Sequence, residues 1–156
     1  MKNERFILDS SLGRLTRYLR MMGYDAVYLK NARARCVIKE TLQSNRFLLT
    51  RTRELASRGD INVYLVKSDS VLEQVSEVAE ELNLNLTSKA MGRCLYCNAP
   101  LEIVEKKDVL DSLPPHVRKT QNSFSKCPVC RKVFWPGTHY ARSVDRLIKA
   151  IRKNRD

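Results

Sequence analysis

The chain has 156 residues, 29 of them Lys or Arg and 17 Asp or Glu, with a formal net charge of +12 and a mean hydropathy of −0.40. That length allows one ordinary domain, or a domain of about 90 residues with a small stapled unit beside it. No apolar run approaches about 18 residues, which excludes a membrane-spanning helix.

Arg5-Phe6-Ile7-Leu8-Asp9 is a short apolar run ending in an acid, the pattern of a buried parallel strand. Ser10 or Ser11 offers an N-cap to a helix in which Leu12, Leu15, Tyr18, Leu19 and Met22 share one arc of about 120°. Arg14, Arg17 and Arg20 fall on the other side, and Gly23 takes the position that closes a helix. Ala26–Leu29 reads as a second strand. Val37, Ile38, Thr41 and Leu42 give the inner face of the next helix, with Cys36 as a small buried apolar residue. Phe47–Thr50 is a third strand, followed by a short helix near 53–58 that Gly59 stops, and Ile61–Val66 is a fourth. Ser70 and Glu73 form a capping box for a helix with Leu72, Val75, Ala79 and Leu82 inside. Strand and helix alternate, so the expected class is α/β: a parallel sheet flanked by helices.

In such sheets ligands lie beyond the carboxyl ends of the strands. Those ends carry Asp9, Lys30-Asn31, Thr50-Arg51 and Lys67-Ser68-Asp69. Asp9 has a competing structural reading, as an acid at the start of the first helix.

The expected division is an α/β domain over residues 1–90 and a second unit over 91–156. The second unit holds two CxxC pairs, Cys94/Cys97 and Cys127/Cys130. Four thiolates in two close pairs are the donor set of a structural Zn²⁺ ribbon, since each pair grips the metal through a tight turn. The pairs lie 29 residues apart, more than the usual 15 to about 20, so the ribbon carries an insertion, which Pro114-Pro115 breaks. A β-hairpin is expected after each knuckle, using residues 101–104 and 132–135. No secretory leader is read in the charged Met1–Arg5 opening and the fifth cysteine is unpaired, so reduced, metal-bound thiols and a cytoplasmic location are expected. Tyr96 and Trp135 read as ribbon packing or as platforms for bases; His139 could be a zinc ligand, but with four cysteines available it reads as a hydrogen-bonding residue that fixes the ribbon to the first domain. From Arg142 onward Val144, Leu147, Ile148 and Ile151 mark a C-terminal amphipathic helix; Arg142, Arg146, Lys149, Arg152 and Lys153 occupy its other face.

Charge is unevenly spread. Residues 1–58 carry 13 Lys or Arg against 5 Asp or Glu, residues 59–90 carry 2 against 6, and residues 91–156 carry 14 against 6. A basic front, an acidic strip and a basic back point to directed binding of a polyanion.

Phe6-Ile7-Leu8-Asp9, the segment Leu12-Gly13-Arg14-Leu15 through Arg17, Leu19-Arg20 and Gly23-Tyr24-Asp25, and Leu48-Leu49-Thr50-Arg51 occur together. The tail adds Cys127, Cys130, Val133, Trp135, Gly137 and His139 in fixed spacing. On these motifs the chain resembles the Mut-seven C-terminal RNase domain family, a PIN-like nuclease fold joined to a zinc ribbon. The resemblance implies a metal-dependent ribonuclease site at the strand ends, where several carboxylates hold Mg²⁺ or Mn²⁺. Asp9 matches the acid after the first strand. The family's acids at the start of the second helix are replaced by Asn31-Ala32-Arg33-Ala34-Arg35, and its Thr-Arg-Asp after the third strand reads Thr50-Arg51-Thr52.

Hard divalent cations need several oxygen ligands, and an Arg beside the cage opposes them. The expectation is therefore an RNA-binding protein on a degenerate nuclease scaffold, with structured RNA such as tRNA or rRNA as partner. Arg14, Arg17, Arg20, Arg33, Arg35, Arg51 and Arg53 are the expected phosphate contacts. Two alternatives stand beside it: a metal-dependent ribonuclease using Asp9 and Asp69, and a zinc-ribbon adaptor that docks on a protein partner.

Overall fold

Four strands, β1 (Arg5–Leu8), β2 (Asp25–Tyr28), β3 (Phe47–Thr50) and β4 (Val63–Leu65), pair in parallel in the order β2-β1-β3-β4. The computed structural model describes residues 5–86 and 89–155, with side chains as far as Arg152; Lys153 and the residues before Arg5 lie outside the described side chains. The central strands are covered on both faces, so their side chains run apolar without alternation. Phe6, Ile7, Leu8, Leu48 and Leu49 are fully buried.

Two cores result. On one face Phe6, Leu8 and Leu49 meet Leu15 and Leu19 of α1 (Gly13–Met21) and Val75 and Val78 of α4 (Val71–Glu81). On the other, Ile7 and Leu48 meet Val37 of α2 (Ala34–Ser44) and Leu55 of α3 (Arg53–Ala56). Burying each large side chain contributes about 1.5–3 kcal/mol. Truncating Leu8 to Ala would open a cavity costing about 2–5 kcal/mol.

Local signals set most element ends. Gly23 has φ +88°, and Gly23 and Tyr24 donate to the carbonyls of Arg20 and Leu19, closing α1 with a left-handed residue. Ser70 Oγ accepts from the Glu73 N–H at 3.3 Å, as the capping box requires. The start of α1 differs from expectation. Asp9, and not a serine, caps the chain there, over a 3-10 turn at Ser10–Leu12 that leads into the helix. On α2 two expectations differ: Leu42 is 53 % exposed, and Cys36 is exposed where a buried residue was expected. Only Val37 and Thr41 of that helix are buried, with Ile38 partly buried against the core that holds Ile7 and Leu48.

The ribbon sheet joins β5 (Glu102–Val104), β6 (Phe124–Lys126) and β7 (Val133–Phe134) antiparallel, in that order. It replaces the expected hairpin after each knuckle: β5 pairs with the strand that enters the second knuckle. The insertion builds its own small core from Val109, Leu113 and Val117 against Phe124. Pro115 does not break it but starts α5 (Pro115–Thr120), where its missing N–H is harmless. The last helix, α6 (Thr138–Arg155), begins before Arg142. It packs on α4, and Leu147 is buried in the same core as Leu15 and Val78.

Candidate metal centre and strand-end surface

Sγ atoms of Cys94, Cys97, Cys127 and Cys130 all lie within 4.8 Å of one another. The contacts Cys94–Cys130 and Cys97–Cys127 are 3.5 and 3.3 Å. A tetrahedral ion held at about 2.3 Å sets its sulfurs about 3.8 Å apart, so the cluster fits a metal with little movement. Both knuckles use one backbone device. Cys94 and Cys127 donate their N–H to the carbonyls of Ala99 and Lys132, each at 2.9 Å, and Asn98 and Arg131 turn the chain with φ +68° and +64°.

Packed together, the thiols are in electrostatic conflict. Burial pushes Cys94 up to about 12. At Cys127 burial acts the same way, but the backbone N–H groups of Cys130 and Val129 and the neighbouring thiols outweigh it, taking the group down to about 6. A divalent cation removes the conflict, since coordinated thiolates need no protons. His139, exposed on α6, is outside the cluster. Its carbonyl accepts from Ser143 Oγ at 2.9 Å within the helix.

The first knuckle is also the dock between ribbon and sheet. Strand β2 is an edge, so Ala26 presents an unpaired N–H and C=O. Asn98 Oδ1 accepts from the Ala26 N–H at 3.0 Å, and Arg20 Nε donates to the Ala26 carbonyl at 2.8 Å. Arg20 Nη1 donates to the carbonyls of Leu95 and Tyr96, both at 3.0 Å. Arg20 was expected to face phosphate. It is 8 % exposed, its Nε and Nη1 donate inside the dock, and it supplies positive charge beside Cys94 and Cys97. A divalent ion with four thiolates carries net negative charge, so that placement is favourable. Asp25 completes the dock. Its oxygens accept from Arg46 at 2.7 and 3.1 Å and from Asn98 Nδ2 at 2.7 Å, with Arg5 and Arg93 at 3.7 and 3.8 Å. Burial alone would raise the Asp25 carboxyl, but Arg46 and Asn98 win and hold it below the usual carboxylate range. Sequence patterns gave no sign of this network.

At the carboxyl ends of the strands, Asp9 is 7 % exposed. Its Oδ1 accepts from the Ser11 N–H at 3.0 Å and the Ser11 hydroxyl at 2.5 Å. Its Oδ2 accepts from the Thr50 hydroxyl, whose oxygen in turn accepts from the Thr52 N–H at 3.0 Å. Asp69, its side chain 90 % exposed, is ion-paired with Arg51. A third acid here, Glu77, escaped the sequence reading. It takes the Lys67 and Ser68 N–H groups at 2.8 and 2.9 Å and the Tyr64 hydroxyl at 3.1 Å, pinning the loop after β4. The capping box predicts the helix but not which exposed turn meets the loop. Arg14, Arg17, Arg33, Arg35, Arg51 and Arg53 are exposed. Arg33 and Arg35 stand at the start of α2, which has no acid in its first turn and no side-chain cap.

A model of the Mut7-C RNAse domain family matches residues 4–147, nearly the whole chain. No significant match was found among curated proteins or among solved structures. Among the described residues no helix is long and apolar enough to cross a membrane.

Proposed function

The chain belongs to the Mut7-C RNAse domain family, and from that premise we propose an RNA-binding protein on a nuclease-like scaffold that hydrolyses RNA little or not at all. The observation that carries this reading is the state of Asp9. Its oxygens already accept three hydrogen bonds, two from Ser11 and one from Thr50, so the acid serves as a cap and a strand crosslink and keeps about one of four acceptor sites for a metal. Asp69 is held by Arg51, and Glu77 is spent on backbone N–H groups. Mg²⁺ or Mn²⁺ needs several free oxygens at one point. The cations Arg33 and Arg35 at the α2 N-terminus oppose the helix dipole, a cost that a bound phosphate would offset. Arg14, Arg17, Arg33, Arg35, Arg51 and Arg53 form the phosphate-contacting set, and Arg20 drops out of it. The cysteine cluster is assigned a structural Zn²⁺, which supplies folding energy to a unit too small to be stable on its own core. A cytoplasmic setting suits reduced thiols.

Family membership favours the competing reading, a ribonuclease using Asp9 and Asp69. One series separates them. Wild type should leave RNA uncut with Mg²⁺ or Mn²⁺ and bind it with affinity falling on the order of a hundredfold from low to physiological salt. Thr52→Asp with Arg35→Asp should gain metal-dependent cleavage that Asp9→Asn then abolishes; Thr52 already sits at an N-cap, where Asp is well tolerated. Brisk wild-type cleavage lost on Asp9→Asn overturns the proposal.

A further inference from the structure

Between the ribbon and the start of α6 lies an open groove of about 920 Å³. Both of the chain's histidines, His116 and His139, and its single tryptophan, Trp135, line it. So do Arg131 and Lys132, while no Asp or Glu is among the described residues of its wall. Tyr96, 56 % exposed, stands at the mouth with Lys132 Nζ 4.7 Å and Arg17 Cζ 5.6 Å from its ring centroid. Trp135 is fixed in place. Its ring lies 6.5 Å from that of Phe124, and a Cβ at Gly137 would come within 2.9 Å of the indole Nε1.

Rings beside cations, with no opposing acid, match a ligand that has flat apolar faces and a negative backbone. We propose that this groove binds unpaired nucleotides of single-stranded RNA, with Tyr96 and Trp135 as stacking platforms and Arg131 and Lys132 as phosphate partners. Bases in a duplex bury their faces in their own stack, so only unpaired ones reach such rings. An acidic peptide would use the cations and leave the rings unpartnered. Lys132 covers the Tyr96 face that a base would take, and its flexible stem lets the ammonium swing to the phosphate of the same nucleotide. The proposal rests on the reading of the chain as an RNA binder, but it assigns the unpaired segment to the ribbon and leaves the strand-end arginines to structured RNA.

Trp135 is its own reporter. Octauridylate titrated into metal-loaded full-length protein should quench its emission saturably, whereas a duplex of equal length should not. Tyr96→Ala should weaken that binding about 5- to 150-fold, the range for losing one stacking platform. Lys132→Ala should lower the slope of log affinity against log salt by about one. Unchanged metal content and circular dichroism would show both variants folded. Arg33→Glu with Arg35→Glu should leave octauridylate binding intact while weakening structured RNA. If only the structured-RNA effect fails, the strand-end reading falls and this one stands. No quenching, equal quenching by duplex, indifference to Tyr96→Ala, or oligoglutamate quenching with the same Tyr96 dependence would overturn it.

Discussion

Asn98 and Arg131 occupy the same place in the two knuckles, with the same left-handed turn and the same 3.0 Å hydrogen bond back to the carbonyl of the first cysteine. Their side chains do opposite things. Asn98 reaches across to the Ala26 N–H and to Asp25, sealing the open edge of the sheet. Arg131 is exposed and lines the groove beside Trp135. One backbone device, used twice, thus gives a dock on one side of the metal and a free surface on the other. The metal geometry needs only the turn. What the turn residue carries decides which knuckle faces the protein and which stays open.

The largest effect that probes this difference is loss of the metal. Cys97→Ser or Cys127→Ser should take bound zinc from one equivalent per chain to well below it, measured by elemental analysis, and should expose Trp135, shifting its emission to the red. Because the docked knuckle also holds the edge of β2, Cys97→Ser should lower the melting temperature of the α/β helices more than Cys127→Ser does. Equal effects would mean that the dock is not special.

Next in size is Asp25. Asp25 and Arg46 keep 15 % and 11 % side-chain exposure, so Asp25→Ala should destabilise by about 3 kcal/mol, the low end for a buried ion pair losing one partner. The pH dependence follows from the depressed Asp25 carboxyl. Its contribution is present above the ordinary carboxylate range and is lost as pH falls through the lower folded value. Glu77 is also depressed, the hydrogen bonds from Ser68, Lys67 and Tyr64 outweighing burial, and adds a loss of the same sign at the other end of the sheet. Wild-type melting temperature should therefore fall on acidification, and less steeply in Asp25→Ala.

The smallest effect is the sharpest comparison. Glycine accepts the left-handed turn at either position. Asn98→Gly should still cost about 2 kcal/mol, since it removes hydrogen bonds to a carboxylate and to a partly buried N–H. Arg131→Gly removes no such partner and relieves a strained backbone, so denaturant melts should find it neutral or stabilised by about 1 kcal/mol. Matching losses at both sites would sink the distinction between dock and free surface.

Much of the molecule was legible in residue order. Apolar runs and turn residues act within a few positions, so the four strands, α4 with its Ser70 cap and the Gly23 stop were readable from the sequence. The CxxC spacing picked out the four cysteines that cluster, because the tight turn within each knuckle is itself local. The family motifs pointed to the nuclease-like fold, and Asp9 was marked as an acid at a strand end.

Side-chain surroundings were decided only by tertiary structure. Arg20 shares the helix face of Arg14 and Arg17, yet it is buried because Leu95 and Tyr96, some 75 positions on, close over it. Cys36 and Leu42 carry an apolar signal, but both are exposed. Leu147 belongs by position to the ribbon end and by contact to the first core. Asp9 is one carboxylate at a strand end in the sequence, and only the approach of β3 to β1 brings the Thr50 hydroxyl to it. Periodicity specifies which face of an element is apolar; burial and hydrogen-bond partners depend on what the rest of the chain brings to that face.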